Sequence, residues 1–286
     1  MLRHAFIMSV HTNLEQLQVL VTALQFGDVY IHVDKKQDTL FHQLKEIYKN
    51  NSNVFLVEDR VSVNWSGFSQ VQATIKLFEL VESTKRTYDY IHFISGQDLP
   101  LMSHAQMDDY IEGKGIDQQF VEVNDIDSYK WRLTQYSFFR ENPNNRKKLY
   151  RLTDIALRLI QMPFVRRANF KGFELYKGSQ WFSITYECMK YILSYIREND
   201  YCSKFRYTAC PDEHFFQVLL MNSKYKDKIL KYNSRYIVFE GLNASPKTLG
   251  VEDMDYFMNG QYMFARKFDM NKDLKVFRLI LKGEIE

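Results

Sequence analysis

Through its first hundred residues the chain alternates short apolar runs with stretches of helical spacing. Residues 4–11 are an apolar run of the kind that packs in strands, and residues 14–24 place Leu and Val at helical intervals. Residues 28–34 read as a second buried strand, 40–48 as a second helix and 53–57 as a third strand. A long helix is expected over 66–82, with Val71, Ile75, Leu77, Phe78, Leu80 and Val81 as its apolar positions, followed by a fourth strand over 88–94. Four unbroken alternations predict an α/β protein with a parallel, doubly wound sheet. Ligands of such sheets lie beyond the carboxyl ends of the strands. Those ends are polar here, at 32–36, 58–60 and 95–100. One such cluster is an ordinary solvated loop, whereas three on one edge mark a site.

After Ser103 the alternation decays. Residues 120–123 and 178–184 read as strands, 186–198 as a helix, 235–239 as a strand and 252–258 as a helix. Residues 129–140 are aromatic and basic, with Trp131, Arg132, Tyr136 and Arg140, and 146–151 are strongly cationic. The cationic run is either a solvated face or a wall that meets an anionic or lipid-linked substrate. Pro211, Asp212 and Glu213 stand at the mouth of an apolar helix, where Pro suits the first position and acids offset the positive end of the dipole. The triplet is either a plain helix start or the holder of a positioned catalytic carboxylate, Glu213.

Composition narrows the choices. With 286 residues, 45% apolar and 26% charged, the chain is a folded globular protein with a sizeable core. A net charge of +3 gives a nucleic-acid partner little support, and only 146–151 would favour one. Three unclustered cysteines make no disulfide framework, no Cys/His spacing suggests zinc, and the first apolar run is too short for a signal segment. A reducing cytoplasm is the expected setting. No glycine-rich phosphate loop follows the first strand, which disfavours dinucleotide enzymes and P-loop NTPases.

Six motifs in fixed order then carry a resemblance: residues 32–36, 65–70, 95–101, 178–181, 211–217 and 264–269. Together they resemble the core-2/I-branching N-acetylglucosaminyltransferase family, which also contains the peptide O-xylosyltransferases, from about residue 3 to about 278. The resemblance implies a single GT-A-type glycosyltransferase domain: a Rossmann-like nucleotide-binding sheet (about 1–102) continued into an acceptor-binding and catalytic part (about 103–286). It implies an inverting, metal-independent transfer from a UDP-sugar, first guess GlcNAc, to a hydroxyl of a glycan or lipid-linked glycan. Glu213 matches the family's base. Lys267, with Arg266 as its alternative, and Lys247 match the basic residues that hold the diphosphate. Uridine is expected near Val33, Lys35, Arg60 and Trp65, with Asp98 accepting hydrogen bonds from the donor sugar. No metal or other cofactor is expected, because the turn after the fourth strand offers Asp98 alone, beside Gly96 and Gln97, and hard cations want several oxygens. Trp131, Arg132 and Tyr236 are acceptor-wall candidates on stacking grounds only. Animal members of that family are disulfide-bonded Golgi membrane proteins. This chain resembles instead a bacterial-type cytoplasmic enzyme of surface polysaccharide synthesis, with at most peripheral contact at the inner face of the membrane. The competing expectation is a carbohydrate-binding protein that kept the fold and lost turnover, and Glu213 and Lys267 count against it.

Overall fold

Phe6, Met8 and Val10 face one side of the first strand and Ala5 and Ile7 the other, and both sides are buried in apolar clusters. A strand covered on both faces is why its sequence is continuously apolar instead of alternating. The computed structural model describes residues 1–164, 167–241 and 245–281. The first half contains β1 (His4–Val10), α1 (Leu14–Ala23), β2 (Asp28–Val33), α2 (Asp38–Tyr48), β3 (Val54–Leu56), α3 (Ser69–Ser83), β4 (Tyr90–Ser95), β5 (Asp98–Pro100), α4 (His104–Lys114), β6 (Gln119–Glu122), β7 (Asn124–Asp125) and α5 (Trp131–Thr134). There follow α6 (Lys148–Gln161), β8 (Tyr176–Lys177), β9 (Phe182–Thr185), α7 (Tyr186–Glu198), α8 (Phe215–Met221), β10 (Ile229–Lys231), β11 (Arg235–Ile237), α9 (Met254–Met258), β12 (Phe264–Arg266) and α10 (Leu274–Ile280).

Seven strands form the main sheet in the order β10-β6-β9-β4-β1-β2-β3. Residues of α3, α7 and α8 fill the core on one face, and those of α1, α2, α4 and α10 fill it on the other. The expectation of a parallel sheet holds for β4, β1, β2 and β3 and fails beyond them. β9 runs antiparallel to both β4 and β6. The reason lies after Ser95, where the chain turns through Gly96 and Gln97 straight into β5 and makes no helical crossover. β5 joins a second sheet, ordered β11-β12-β5, in which Arg266 stands opposite Asp98. The main sheet therefore draws strands from both halves of the sequence.

Three element boundaries also differ from the sequence reading. The long helix starts at Ser69, because Ser66 has a left-handed φ of 59° and α3 is capped from a distance, Ser69 N–H donating to Glu141 Oε1 at 2.8 Å. Strand β9 starts at Phe182, and residues 178–181 form a turn that clamps another segment. Pro211–Glu213 is a separate 3-10 turn, broken from α8 by His214 with φ −131°. Glu213 thus stands outside the first turn of the helix, and the helix dipole is not what steadies its charge.

Candidate active site

Three of the motifs meet at Glu213. Its carbonyl accepts the Gly178 N–H at 2.8 Å, and Gly178 has no room for a side chain: a Cβ there would lie 1.8 Å from the Glu122 carbonyl oxygen. Gln217, buried in the middle of α8, donates through Nε2 to the Ser179 carbonyl at 2.7 Å. Gln70 Nε2 donates to Gln180 Oε1 at 3.2 Å and to Asp212 Oδ2 at 3.3 Å, while its Oε1 accepts the Ser66 N–H. Cys210 N–H in turn donates to the Ser66 carbonyl at 3.0 Å. The 65–70, 178–181 and 211–217 segments are one interlocked cage. Its floor is apolar, with Phe215 and Phe216 fully buried.

Within that cage Glu213 keeps 39% of its side chain exposed and pairs with Arg132, whose own side chain is 14% exposed. Arg132 was expected on the acceptor wall. In the structure its guanidinium pairs with the carboxylate and stands 4.5 Å from the Tyr129 ring centre. Asp212 is the neighbour the sequence reading passed over. Its Oδ1 is buried with no hydrogen-bond partner, and burial, followed by the charge of Glu213, pushes its carboxyl up to about 7. The sequence signal was present in the adjacent pair of acids.

A second group ties the end of β4 to β12. Asp98 is 1% exposed; Ser95 Oγ donates to its Oδ1 at 2.6 Å, Ser95 N–H donates to its Oδ2 at 3.2 Å, and Arg266 Nε lies 3.4 Å from Oδ1. Arg266 is itself buried and stacks 4.1 Å over the ring of Trp181. Below them Arg235 donates to the carbonyls of Phe93 and Phe182 and to Ser183 Oγ. Asp98 is a buried brace whose oxygens are engaged internally, while the guanidinium of Arg266 beside it makes no hydrogen bond among the described residues.

The strand ends form a third group. Val33 is fully buried, and Lys35 N–H donates to the Val61 carbonyl at 3.0 Å. Arg60 stacks on Phe41 at 4.0 Å and pairs with Asp38. Burial lowers His32 to about 4, so it is neutral at pH 7 and accepts the Val61 N–H through Nε2 at 2.8 Å. His11, at the end of β1, is lowered chiefly by partial enclosure; Asp34 acts against this, while Lys36 and Lys267 act with it, which sets Lys267 within electrostatic reach of these strand ends. Lys267 and Lys247 line one cavity of about 720 Å³ together with Lys272. They differ in freedom. Lys247 Nζ lies 2.6 Å from Asp253 Oδ1, whereas Lys267 makes no ion pair among the described residues.

The remaining expectations divide. Trp65 was placed with the uridine residues, but it is 44% exposed, lies under the Arg146 guanidinium at 5.0 Å, and lines a different cavity of about 470 Å³ with Arg140, Tyr150 and Arg158. Trp131 borders that region, with the Arg158 guanidinium 4.4 Å from its ring centre. Tyr236 packs against Phe257 and Tyr262 in the second sheet, where Asp253 and Lys247 act on its hydroxyl, so it belongs with the lysines and not with Trp131.

The 95–100 turn offers a divalent metal one carboxylate, Asp98, which is buried against a guanidinium. His4, His104 and Asp108 do bring potential ligand atoms within 4.8 Å of one another. They sit at the opposite end of β1, already bonded together, His4 Nε2 to Asp108 Oδ1 at 2.9 Å.

Fold and site together define an α/β protein with an accessible carboxylate caged by three segments, and with lysines gathered beyond the ends of the parallel strands of a mixed sheet. The Core-2/I-Branching enzyme family model matches residues 4–257, and the chain belongs to that family. Xylosyltransferase 1 of Homo sapiens is 24% identical over 291 residues, 93% of this chain and 29% of the relative. Xylosyltransferase oxt of Drosophila melanogaster is 24% identical over 251 residues, 78% of this chain and 25% of the relative. The chain thus spans less than a third of the length of these relatives. Among solved structures, the apo WbbM bifunctional glycosyltransferase aligns over 99% of this chain and 50% of its own, at 10% identity and a TM-score of 0.45.

Proposed function

We propose that the chain is a glycosyltransferase that moves a sugar from a UDP-sugar to a hydroxyl of a glycan acceptor, with inversion and without a metal ion. Family membership and the cage around Glu213 support this reading. In the reaction the bond from the anomeric carbon to the diphosphate oxygen breaks and a bond to the acceptor oxygen forms. The acceptor proton passes to Glu213, and UDP leaves with the bonding electrons. Negative charge gathers on the leaving diphosphate, and Lys267, with Lys247 and Lys272 in the same cavity, supplies the fixed positive charge to receive it. Val33, Lys35 and Arg60 border the nucleotide.

GlcNAc is the first donor to test and xylose the second, since the two relatives described above carry the name xylosyltransferase. Three free cysteines suit a reducing compartment, and the proposed setting is the bacterial cytoplasm, in surface polysaccharide synthesis. One observation favours a second reading, a carbohydrate-binding protein without turnover: the Glu213 carboxylate is engaged by Arg132.

The deciding experiment pairs turnover with binding. Wild type should release UDP from one of UDP-GlcNAc or UDP-xylose in the presence of acceptor glycans, equally with and without EDTA. Glu213→Gln should lose at least about a thousandfold in rate while UDP still raises the melting temperature. Full turnover in that variant overturns the base, loss with EDTA overturns metal independence, and sugar binding indifferent to UDP selects the second reading.

A further inference from the structure

Helix α6 is built inside out. A surface helix of a globular protein turns its apolar stripe to the core and its charges to water. In α6 the apolar positions Leu149, Leu152, Ile155, Leu159 and Ile160 are all exposed, Leu149 at 72%. At 100° per residue they fall within an arc of about 140°. The apolar surface continues past the helix into Met162 and Phe164, the latter 84% exposed. Apart from an edge-on contact of Tyr150 with Phe139, what fastens α6 to the protein is polar. Asp154 pairs with Arg140 at 2.5 Å, and Gln161 bonds both backbone groups of Tyr136, at 2.7 Å and 2.9 Å.

The charge around this face has one sign. Between residues 142 and 164 the sequence holds five basic residues, Arg146, Lys147, Lys148, Arg151 and Arg158, against the single acid Asp154. That acid faces inward to Arg140. Arg146, Lys147, Lys148 and Arg151 are exposed, and Arg151 borders the apolar arc on one side.

We infer that α6 lies in the plane of an anionic lipid surface, its leucine and isoleucine side chains among the acyl chains and its basic edge at the headgroups. An exposed apolar arc with a cationic border is the pattern of an interfacial helix. A second copy of the chain is a poor occupant by comparison, because a symmetric contact would bring two cationic borders together. The cavity of about 470 Å³ is walled by Tyr150, Arg151, Ile155 and Arg158 of α6 and by Trp65, so a surface that takes up the helix takes up this cavity as well. The inference stands on exposure and charge and does not require sugar transfer to be correct.

Flotation of the purified full chain with vesicles tests it without any enzyme assay. The wild type should float with phosphatidylcholine vesicles that contain about one-third phosphatidylglycerol, bind pure phosphatidylcholine roughly tenfold less, and be released by high salt. Leu152→Glu combined with Ile160→Glu should reduce flotation at least about tenfold with an unchanged melting temperature, as both side chains already meet water. Lys147→Glu combined with Arg151→Glu, which keeps the apolar arc, should abolish the preference for anionic lipid. A wild type that stays at the bottom of the gradient overturns the inference, as does undiminished flotation of the Leu152/Ile160 variant. A lipid-free dimer that this variant converts to monomer would assign the face to a second copy and overturn it too.

Discussion

Arg132 and Glu213 stand 81 residues apart in the sequence and share a hydrogen bond from guanidinium Nη1 to carboxylate Oε2. The pairing leaves Glu213 more than a third exposed, so the carboxylate is open on one side and held by the arginine on the other. In the proposed reaction such a hold would keep the base oriented toward an incoming hydroxyl.

Arg132 is also among the charges that restrain Asp212 from rising further. Arg132→Ala should therefore push the Asp212 carboxyl further up, shift the acidic limb of the pH–rate profile to higher pH and lower kcat about 10- to 100-fold. Arg132→Lys keeps the charge and should restore the limb more fully than the rate, because lysine lacks the planar fork. An alanine variant with the wild-type profile would separate this ion pair from the chemistry.

Asp212 gives a stability test with a definite sign. A carboxyl raised from 3.8 to about 7 on folding carries no penalty below pH 3.8; the destabilisation grows as pH rises from 3.8 to about 7 and is complete above that. Asp212→Asn removes that penalty and keeps a partner for Gln70. The variant should exceed wild type by about 1–2 kcal/mol at pH 8 and show little or no gain at pH 3.5, measured by urea denaturation. An equal gain at both values would rule out titration as the cause.

His32 and His214, both lowered to about 4 chiefly by burial, act in the opposite direction. Their stabilising contribution is complete above 6.5 and is lost as pH falls from 6.5 through about 4. Melting temperature should therefore drop across that interval. In His32→Gln, whose carbonyl oxygen can still accept the Val61 N–H, the drop should be shallower.

Gly178→Ala should be costly far beyond the size of a methyl group. The new Cβ would sit 1.8 Å from the Glu122 carbonyl oxygen, so the backbone that donates to Glu213 has to move. About 2–4 kcal/mol of stability should be lost, with a fall in kcat larger than any rise in KM. Denaturant titration and initial rates measure the two effects separately.

Lys247 and Lys267, two of the three lysines of the large cavity, should be unequal. Lys267 has no anionic partner among the described residues, whereas Lys247 is held by Asp253. Lys267→Ala should lower kcat/KM for the nucleotide sugar about a hundredfold and Lys247→Ala by about tenfold or less. Equal losses would show that Lys247 leaves Asp253 when the nucleotide binds.

The parallel strands and their helices were legible because both faces of β1, β2 and β4 are buried and the crossovers recur without interruption. The candidacy of Glu213 and the lysines rests on motifs read together. What escaped was set by long-range contacts. The antiparallel course of β9 depends on an excursion that carries no period. The cap on α3 comes from Glu141, 72 residues away, and the Glu213 partner comes from a segment that sequence alone assigned to the acceptor wall. Gln217 had a readable signal, a polar side chain inside an apolar helix, since such a group is buried only with a partner. The exposed face of α6 was half legible: the sequence showed the cations but not that the neighbouring leucines point to water.

Strand β12 lies between β11 and β5, and the residue after it, Lys267, reaches the ends of strands made more than two hundred residues earlier. A ribosome must therefore deliver residues 264–267 before the second sheet can close. Until then the four parallel strands are an unfinished intermediate, with the edge of β5 unpaired and Asp98 lacking its arginine. Synthesis of the nascent chain and completion of its binding cleft are separated in time. A truncation before Phe264 should leave a protein that retains much of its secondary structure and binds no nucleotide.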